Sequence, residues 1–342
     1  MPNALIIGAG VAGTSAASVL TKAGWQVRLL DKARAPGGRC ATRRIAADPG
    51  SAWFDYGAQY FTADDAAFRP VVDADLAAGH LNCWQPAIQV AEPVGDGWRR
   101  ASSPDRRRRL VAPTGLNHWI RHRLAQTGAD IRCVARVVDV SAQADGWRVA
   151  IEHDPAPLHA NALIITTPAP QAATLLAGLG GHIGQIDALA HADQALRACQ
   201  SLVVEAPALP DCHGLFVKGG VLAWIADNTH KAGDTAAARR LWTLHATPEF
   251  SDAHVEDTPE TVQQILMDEF SAITGIVLAQ ITPVRGHRWR YARPGDGAPD
   301  ARTLCHVEPE IRLALAGDWL AGGRVEGAWL SGRAAAQALL GQ

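Results

Sequence analysis

Residues 3–8 (NALIIG) form a short apolar run rich in Ile and Leu, the pattern of a buried parallel strand. From Val11 to Ala23 small and apolar residues recur at helical spacing, Gly24 stops the pattern, and Gln26 to Leu30 reads as a second strand. The succession is a β-α-β unit, whose handedness and short loops favour a doubly wound sheet. Ile131–Val140 and Trp147–Ile151 flank the turn signal QADG and are expected to form a hairpin. Ala162–Thr166 predicts a further buried strand ending at Thr167-Pro168. Arg312–Ala316 is the last strand, and a helix from about Val325 to Leu340 follows a glycine-rich turn. Between these elements, residues 61–112 read as loop-rich, with Trp84, Trp98 and the run SSPDRRRR. Residues 171–304 alternate helices near 233–242 and 259–272 with strands near 201–205, 221–226 and 241–246.

The expected class is therefore α/β, two-lobed, with a Rossmann-type dinucleotide-binding domain and an α+β substrate domain built on a mixed sheet. The first is assembled from residues 1–60, 113–170 and 305–342, and the second from 61–112 and 171–304. A length of 342 residues suits two intimate lobes better than a string of modules. Hydrophobic residues at 48% and charged residues at 19% leave ample apolar surface for a core. A formal net charge of −2 gives no global pull towards nucleic acid or an anionic membrane. No stretch approaches the ~20 apolar residues of a membrane span. The opening MPNALIIGAGVAG has no basic n-region, so a cytoplasmic protein is expected. Six scattered cysteines with no CxxC pair and no His/Cys cluster read as reduced thiols rather than disulfides or metal ligands. Eleven tryptophans against six phenylalanines suggest that some line a pocket for a flat ligand.

Gly8-x-Gly10-x-x-Gly13 follows the first strand and opens the first helix. The first glycine makes the tight turn, the second lets the backbone approach a pyrophosphate, and the third allows close helix–strand packing. Val11, Ala12 and Gly13 then present the positive helix end to the anion. Asp31, 18 residues beyond Gly13, stands at the end of the second strand, where a carboxylate can hold an adenosine ribose. This motif suits NAD as well as FAD, and three further segments favour FAD. Asp31-Lys32 leads into Gly37-Gly38-Arg39, a loop able to pass close to the dinucleotide, with an arginine fork for phosphate oxygens. Asp55-Tyr56-Gly57-Ala58-Gln59-Tyr60-Phe61 is suited to lie beside a flat ring. Finally, Ala316-Gly317-Asp318 and Gly322-Gly323-Arg324-Val325-Glu326 place a carboxylate for a ribityl hydroxyl and a helix N-terminus at the pyrimidine side of a flavin.

With GAGVAG, DKARAPGGR, DYGAQYFTA, TTPAPQA, HRWRYARP and AGDW–GGRVEGAWLSG, the chain resembles the flavoproteins that include the amine oxidases, and within them the renalase family. The resemblance runs from residue 6 to residue 332. It implies non-covalent FAD and an oxidase using dioxygen. The implied substrates are dihydronicotinamide dinucleotides reduced at ring position 2 or 6, returned to NAD⁺ or NADP⁺ with formation of hydrogen peroxide. It also implies that Val137 meets the adenine through its backbone and that Thr167 lies against the cofactor. Two departures from the amine oxidases stand out. The final segment reads LSGR, without the cysteine of covalent-flavin members. The four lysines, Lys22, Lys32, Lys218 and Lys231, all lie outside the Trp289 segment, so amine oxidation is not supported.

A dihydropyridine that loses a hydride becomes an aromatic pyridinium with no other proton to remove. Such an enzyme needs a flat slot and an electrostatic setting but no general base, and accordingly no residue is assigned as acid or base. The expected slot residues are Tyr60, Trp224, His245, Arg288 and Trp289. Arg106–Arg109 reads either as a solvated loop or as a landing patch for dinucleotide phosphates. The competing functions are a flavin amine or polyene oxidoreductase of the same fold, an NADPH-dependent monooxygenase, and a non-catalytic flavin-binding redox sensor. No nucleic-acid or membrane partner is expected.

Overall fold

A computed structural model of the chain describes residues 1–46, 52–182, 196–295 and 303–341. One lobe is built on a six-stranded sheet in the order Cys305–Glu308, Leu313–Ala316, Ala162–Ile165, Asn3–Ile7, Gln26–Leu30, Asp130–Arg132. All neighbours are parallel except the first pair. The apolar run at the N-terminus is explained by two cores. Ala4 and Ile6 pack with helices Val11–Lys22 and Leu116–Ala125 on one face. Leu5 and Ile7 pack on the other against Trp147, Val149 and Ile151 of a three-stranded antiparallel sheet. A strand covered on both faces has no polar side to alternate with. Helix Val325–Leu339 lies tightly on Val11–Lys22: a Cβ on Gly332 would fall 2.0 Å from the Ala12 carbonyl oxygen.

The second lobe is a seven-stranded sheet in the order Thr282–Pro294, Leu196–Pro207, Arg239–Ala246, Leu222–Asp227, Gly214–Val217, Ile88–Val94, Gly97–Ser102. It is mixed, because Gly214–Val217 pairs parallel with Ile88–Val94. Helix Pro259–Thr274 covers one face, burying Leu266 and Phe270 against Leu202, Val204, Trp242 and Leu244. It starts at Thr258, whose hydroxyl accepts from the Thr261 amide, and stops at Gly275 with φ +77°. The opposite face carries Ser201, Thr243, His245 and Trp224 and meets residues 55–60. Among the described residues no helix is long and apolar enough to cross a membrane.

Three local expectations are corrected. Ile131–Val140 is not one strand: Val134 turns the chain at φ +54°, leaving Asp130–Arg132 in the main sheet and Val137–Gln143 in the hairpin. No helix spans 233–242. Gly233 has φ +89° and the Asp234 carboxylate accepts from the amides of Ala236 and Ala237, a local turn that ends where strand Arg239–Ala246 begins. The 61–112 region holds a helix, Arg69–Ala77, and four strands rather than loops.

Candidate active site

The glycine motif forms a cradle. Gly8 takes φ +109°, and a Cβ on Gly13 would lie 2.0 Å from the Gly8 carbonyl oxygen, so the helix can start here only with glycine at both positions. Gly10 caps the helix without a side chain, and the Thr14 amide is the first to bond back to it, at 2.9 Å. The amides of Val11, Ala12 and Gly13 are thus left for an anion. Gly38 (φ +56°) approaches the same spot: its Cβ would meet the Gly10 Cα at 3.3 Å. The Asp31 carboxylate fixes the loop by accepting from the Ala9 and Ala33 amides, both at 2.8 Å. Lys32 reaches Gln171 at 3.2 Å, and burial beside Arg136 lowers its pKa. The Thr167 hydroxyl is buried with no partner among the described residues, while Thr166 bonds Ile7 and Gly8 carbonyls. Val137 pairs with Ile151 at the hairpin end.

Arg39 and Asp318, expected as separate anchors, come together. Their fork-to-carboxylate pair includes a 3.0 Å bond from Nη1, and the same nitrogen also donates to the Tyr291 and Ala292 carbonyls. The pair ties the glycine loop, the last strand of the first lobe and the edge strand of the second. Gly317 is placed by the Ser331 hydroxyl on the final helix, which accepts from its amide at 2.8 Å.

Segment 55–60 runs between the lobes and is held from both sides. A Cβ on Gly57 would fall 2.0 Å from the Arg39 carbonyl oxygen and 3.2 Å from the Trp289 ring, and the Ala58 amide donates to that same Arg39 oxygen at 2.9 Å. The Tyr56 carbonyl accepts from the Ser201 hydroxyl (2.9 Å) and the Trp289 indole (3.0 Å), and from the Nε2–H tautomer of His245 (3.3 Å). The Tyr56 ring stacks on Trp289 with centroids 5.5 Å apart, and His287 packs edge-on against both. In the second sheet, Phe216, Trp224, His245, Ser201 and His287 are cross-strand partners in one continuous row. Tyr60 meets that row at Trp224, with centroids 5.6 Å apart. Tyr60, Trp224, His245 and Trp289 are therefore brought to one wall. Trp224 is buried with its indole N–H unpartnered among the described residues.

Arg288 is not on that wall. Strand residues alternate faces, so its guanidinium turns to the Val255 carbonyl and Glu256 while His287 and Trp289 face Tyr56. Glu326 also departs from expectation: its carboxylate accepts from the Asp64 and Asp65 amides, both at 2.6 Å, and only its backbone remains for a cofactor. Arg324 is exposed at the helix N-cap beside Val325. Arg109 is no solvated residue, being 3% exposed and set over the Tyr60 ring at 5.1 Å.

Sequence reasoning missed the charged layer beneath the segment. Asp55 and Lys231 are fully buried, with Lys231 Nζ 4.0 Å from Asp55 Oδ2 and 2.8 Å from the Gln59 side-chain oxygen. Burial pushes the Asp55 carboxyl up, opposed by Lys231, and pushes Lys231 down to about 8. His245 is pushed down to about 4, chiefly by burial and also by Lys231, so it is neutral at pH 7. The two-residue alternation of GHRW could have found His287, but nothing local marks Lys231, four residues after a strand end in NTHK.

A glycine cradle at a helix start, Asp31 closing the second strand and an aromatic second lobe are the features of a two-lobed dinucleotide-binding fold. The sequence profile of flavin-containing amine oxidoreductases matches residues 98–340, and that of an NAD(P)-binding Rossmann-like domain matches residues 6–74. The chain belongs to the flavin-containing amine oxidoreductase family. Its fold is shared, at low identity, by several solved structures. A presumed protoporphyrinogen oxidase from Exiguobacterium sp. 255-15 has 15% identity and a TM-score of 0.76 over 100% of this chain and 99% of that one. Putrescine oxidase bound to putrescine has 14% identity and 0.71, over 100% and 99%. Cyclohexylamine oxidase from Brevibacterium oxydans IH-35A has 14% identity and 0.70, over 99% and 98%. FAD is the cofactor. The residues present fit it: the Gly10–Gly38 approach leaves room for a pyrophosphate that a Cβ would fill, and the orphaned Thr167 hydroxyl offers a further polar contact.

Proposed function

We propose that this flavin-dependent oxidoreductase oxidises isomeric 2- or 6-dihydronicotinamide dinucleotides, acting in the cytoplasm on a small-molecule dinucleotide and dioxygen. The reaction balances as dihydro-NAD(P) plus O₂ plus H⁺ giving NAD(P)⁺ and H₂O₂. FAD, when bound, supplies the hydride acceptor and the route to dioxygen. The supporting observation is the chemistry of the wall. Its aromatic rings suit a flat ligand, and its half-buried His245 is neutral with a hydrogen bond to Tyr56. Asp55 and Lys231 are buried on each other beneath the segment. Losing a hydride to become a pyridinium needs orientation and exclusion of water but no base. The chain's own residues supply this. Trp289 and Tyr56 present flat faces, and the Ser201, His245 and Trp289 donors on the Tyr56 carbonyl fix the segment that carries Gly57–Gln59.

Amine oxidation is the second reading, favoured by structural neighbours described as putrescine and cyclohexylamine oxidases. An ammonium ion in a dry slot calls for a carboxylate partner, and the described wall offers none. Turnover on an oxygen electrode decides between them. Borohydride-reduced NAD⁺ is expected to drive oxygen uptake with NAD⁺ and peroxide formed in equal amounts. Uptake only with members of an amine panel would replace this reading with the second.

A further inference from the structure

Beyond Tyr60 the chain enters a cleft of about 220 Å³ whose lining includes Thr62, Asp64, Arg69, Asp73, Arg107 and Arg108. Its lining begins two residues beyond Tyr60. Phe61 and Leu110 exchange two backbone hydrogen bonds (3.0 and 2.8 Å), which lay residues 60–62 against 109–111. Arg109 sits over Tyr60 on one side of this pairing, and Arg107 and Arg108 open into the cleft on the other. The opposite rim is tied to the final helix by the Glu326 carboxylate on the Asp64 and Asp65 amides.

The arginines here are arranged rather than scattered. Asp105 clamps Arg107 through Nε and Nη2 (3.3 and 3.1 Å) and Arg109 through Nη2 (2.8 Å), while Arg106 is held on the Ser103 carbonyl at 2.6 Å. Arg107 Nη1 is left outside that clamp. Arg108 lies on Cys83 (3.2 Å) and Asp73 (3.6 Å). Arg69 makes no ion pair among the described residues. It starts helix Arg69–Ala77, whose first turn carries no acidic residue, so a side-chain cation adds to the positive helix end instead of offsetting it. Three guanidiniums face two carboxylates in the lining, one of them, Asp73, already paired to Arg108. With Asp105 clamping Arg107, what remains among the described residues is Arg69 and the free Nη1 edge of Arg107, with the Asp64 carboxylate beside them; the first-turn amides of the helix are already taken by the Asp65 and Phe68 carbonyls. Planar guanidinium forks on a partly enclosed wall are suited to phosphate oxygens.

We propose that this cleft is the phosphate subsite for the substrate, with Arg69 and Arg107 taking its pyrophosphate oxygens; as a dinucleotide site the proposal rests on the reading of the preceding section. The spacing is suitable. Thr62 is two extended residues, ~6.6 Å, beyond Tyr60, about the separation between a nicotinamide ring and the phosphate on its own ribose. The cofactor's pyrophosphate belongs at Gly10–Gly38, neither of which lines this cleft.

The test is calorimetric titration of the FAD-loaded enzyme, its own dinucleotide site filled, with inorganic pyrophosphate at low salt. Saturable binding is expected in the wild type. Arg69→Gln and Arg107→Gln should each weaken it about five- to tenfold, the scale of one charge-assisted contact near the surface. Arg100→Gln, on a strand outside the cleft, serves as the control for net charge. No binding to the wild type at 10 mM, or equal weakening by Arg100→Gln, overturns the subsite. Arginine-specific binding in a protein that oxidises no dihydronicotinamide upholds the subsite and overturns the substrate. Oxidation of the isomers with pyrophosphate affinity unchanged in both cleft variants does the reverse.

Discussion

Lys231→Met probes the buried layer beneath the Gly57–Gln59 segment. The substitution keeps the volume of the side chain and removes its charge. It leaves the Asp55 carboxylate, fully buried, with Oδ2 facing a methyl group instead of an ammonium 4.0 Å away. It also strips the Gln59 side-chain oxygen of its 2.8 Å donor. Removing one partner of a buried pair costs about 3–5 kcal/mol. The lower end is expected, because Asp55 Oδ1 keeps the Thr42 hydroxyl and the Leu116 amide. With an unfolding entropy of ~2.1 cal/mol/K per residue, 342 residues give about 0.7 kcal/mol/K, so a 3 kcal/mol loss lowers the midpoint by about 4 °C. The assay is thermal unfolding of FAD-loaded protein at pH 7, read by circular dichroism and by release of flavin fluorescence. The flavin transition should precede the dichroic one, since Gln59 belongs to the segment expected to lie beside the cofactor. The double variant Lys231→Met/Asp55→Asn removes the orphaned charge and should recover most of the loss. A midpoint within 1 °C of wild type, or a double variant no more stable than the single, refutes the buried pair as a stabilising link.

Gly57→Ala puts a Cβ 2.0 Å from the Arg39 carbonyl oxygen; purified protein should carry less than about a tenth of its normal flavin by absorbance ratio, a backbone displacement no flexible side chain can relieve. Asp318→Ala frees Arg39 from its fork partner and should weaken FAD retention by about tenfold or more, whereas normal flavin content after gel filtration would contradict the anchor role. His245 titrates near 4 when folded against an ordinary 6.5. Between those values the unfolded chain binds the extra proton, so this contribution to stability is complete above pH 6.5 and is lost as pH falls towards 4. Urea midpoints for His245→Gln should therefore fall less steeply than wild type across that window. His230 acts in the same direction and Asp227, raised to about 6, in the opposite one, so the variant-minus-wild-type difference is the quantity to read.

The glycine loop was legible because its determinants are local. Gly8, Gly10, Gly13 and Asp31 act within one β-α-β unit, and the glycines are required by backbone approach that any sequence with this loop must satisfy. The aromatic wall was legible in part. Trp289 and Tyr60 stand in distinctive segments, but Arg288 was placed one residue off the correct face, since a thirteen-residue edge strand rich in arginine hides its alternation. The buried Asp55–Lys231 pair was not legible at all: its partners lie 176 positions apart and meet only because helix Asn228–Lys231 drops behind residues 55–59. The same holds for Arg109, which the run RRRR presents as surface charge and the Phe61–Leu110 pairing turns inward over Tyr60.

The most direct test of the proposed reaction is anaerobic rapid mixing of the yellow protein with borohydride-reduced NAD⁺, which holds the 2-, 4- and 6-dihydro isomers, beside pure 4-dihydro-NAD. The predicted result is fast bleaching of the flavin by the mixture alone, with peroxide appearing when air is admitted. Bleaching by the pure 4-dihydro form at the same rate, or by neither donor, would contradict it.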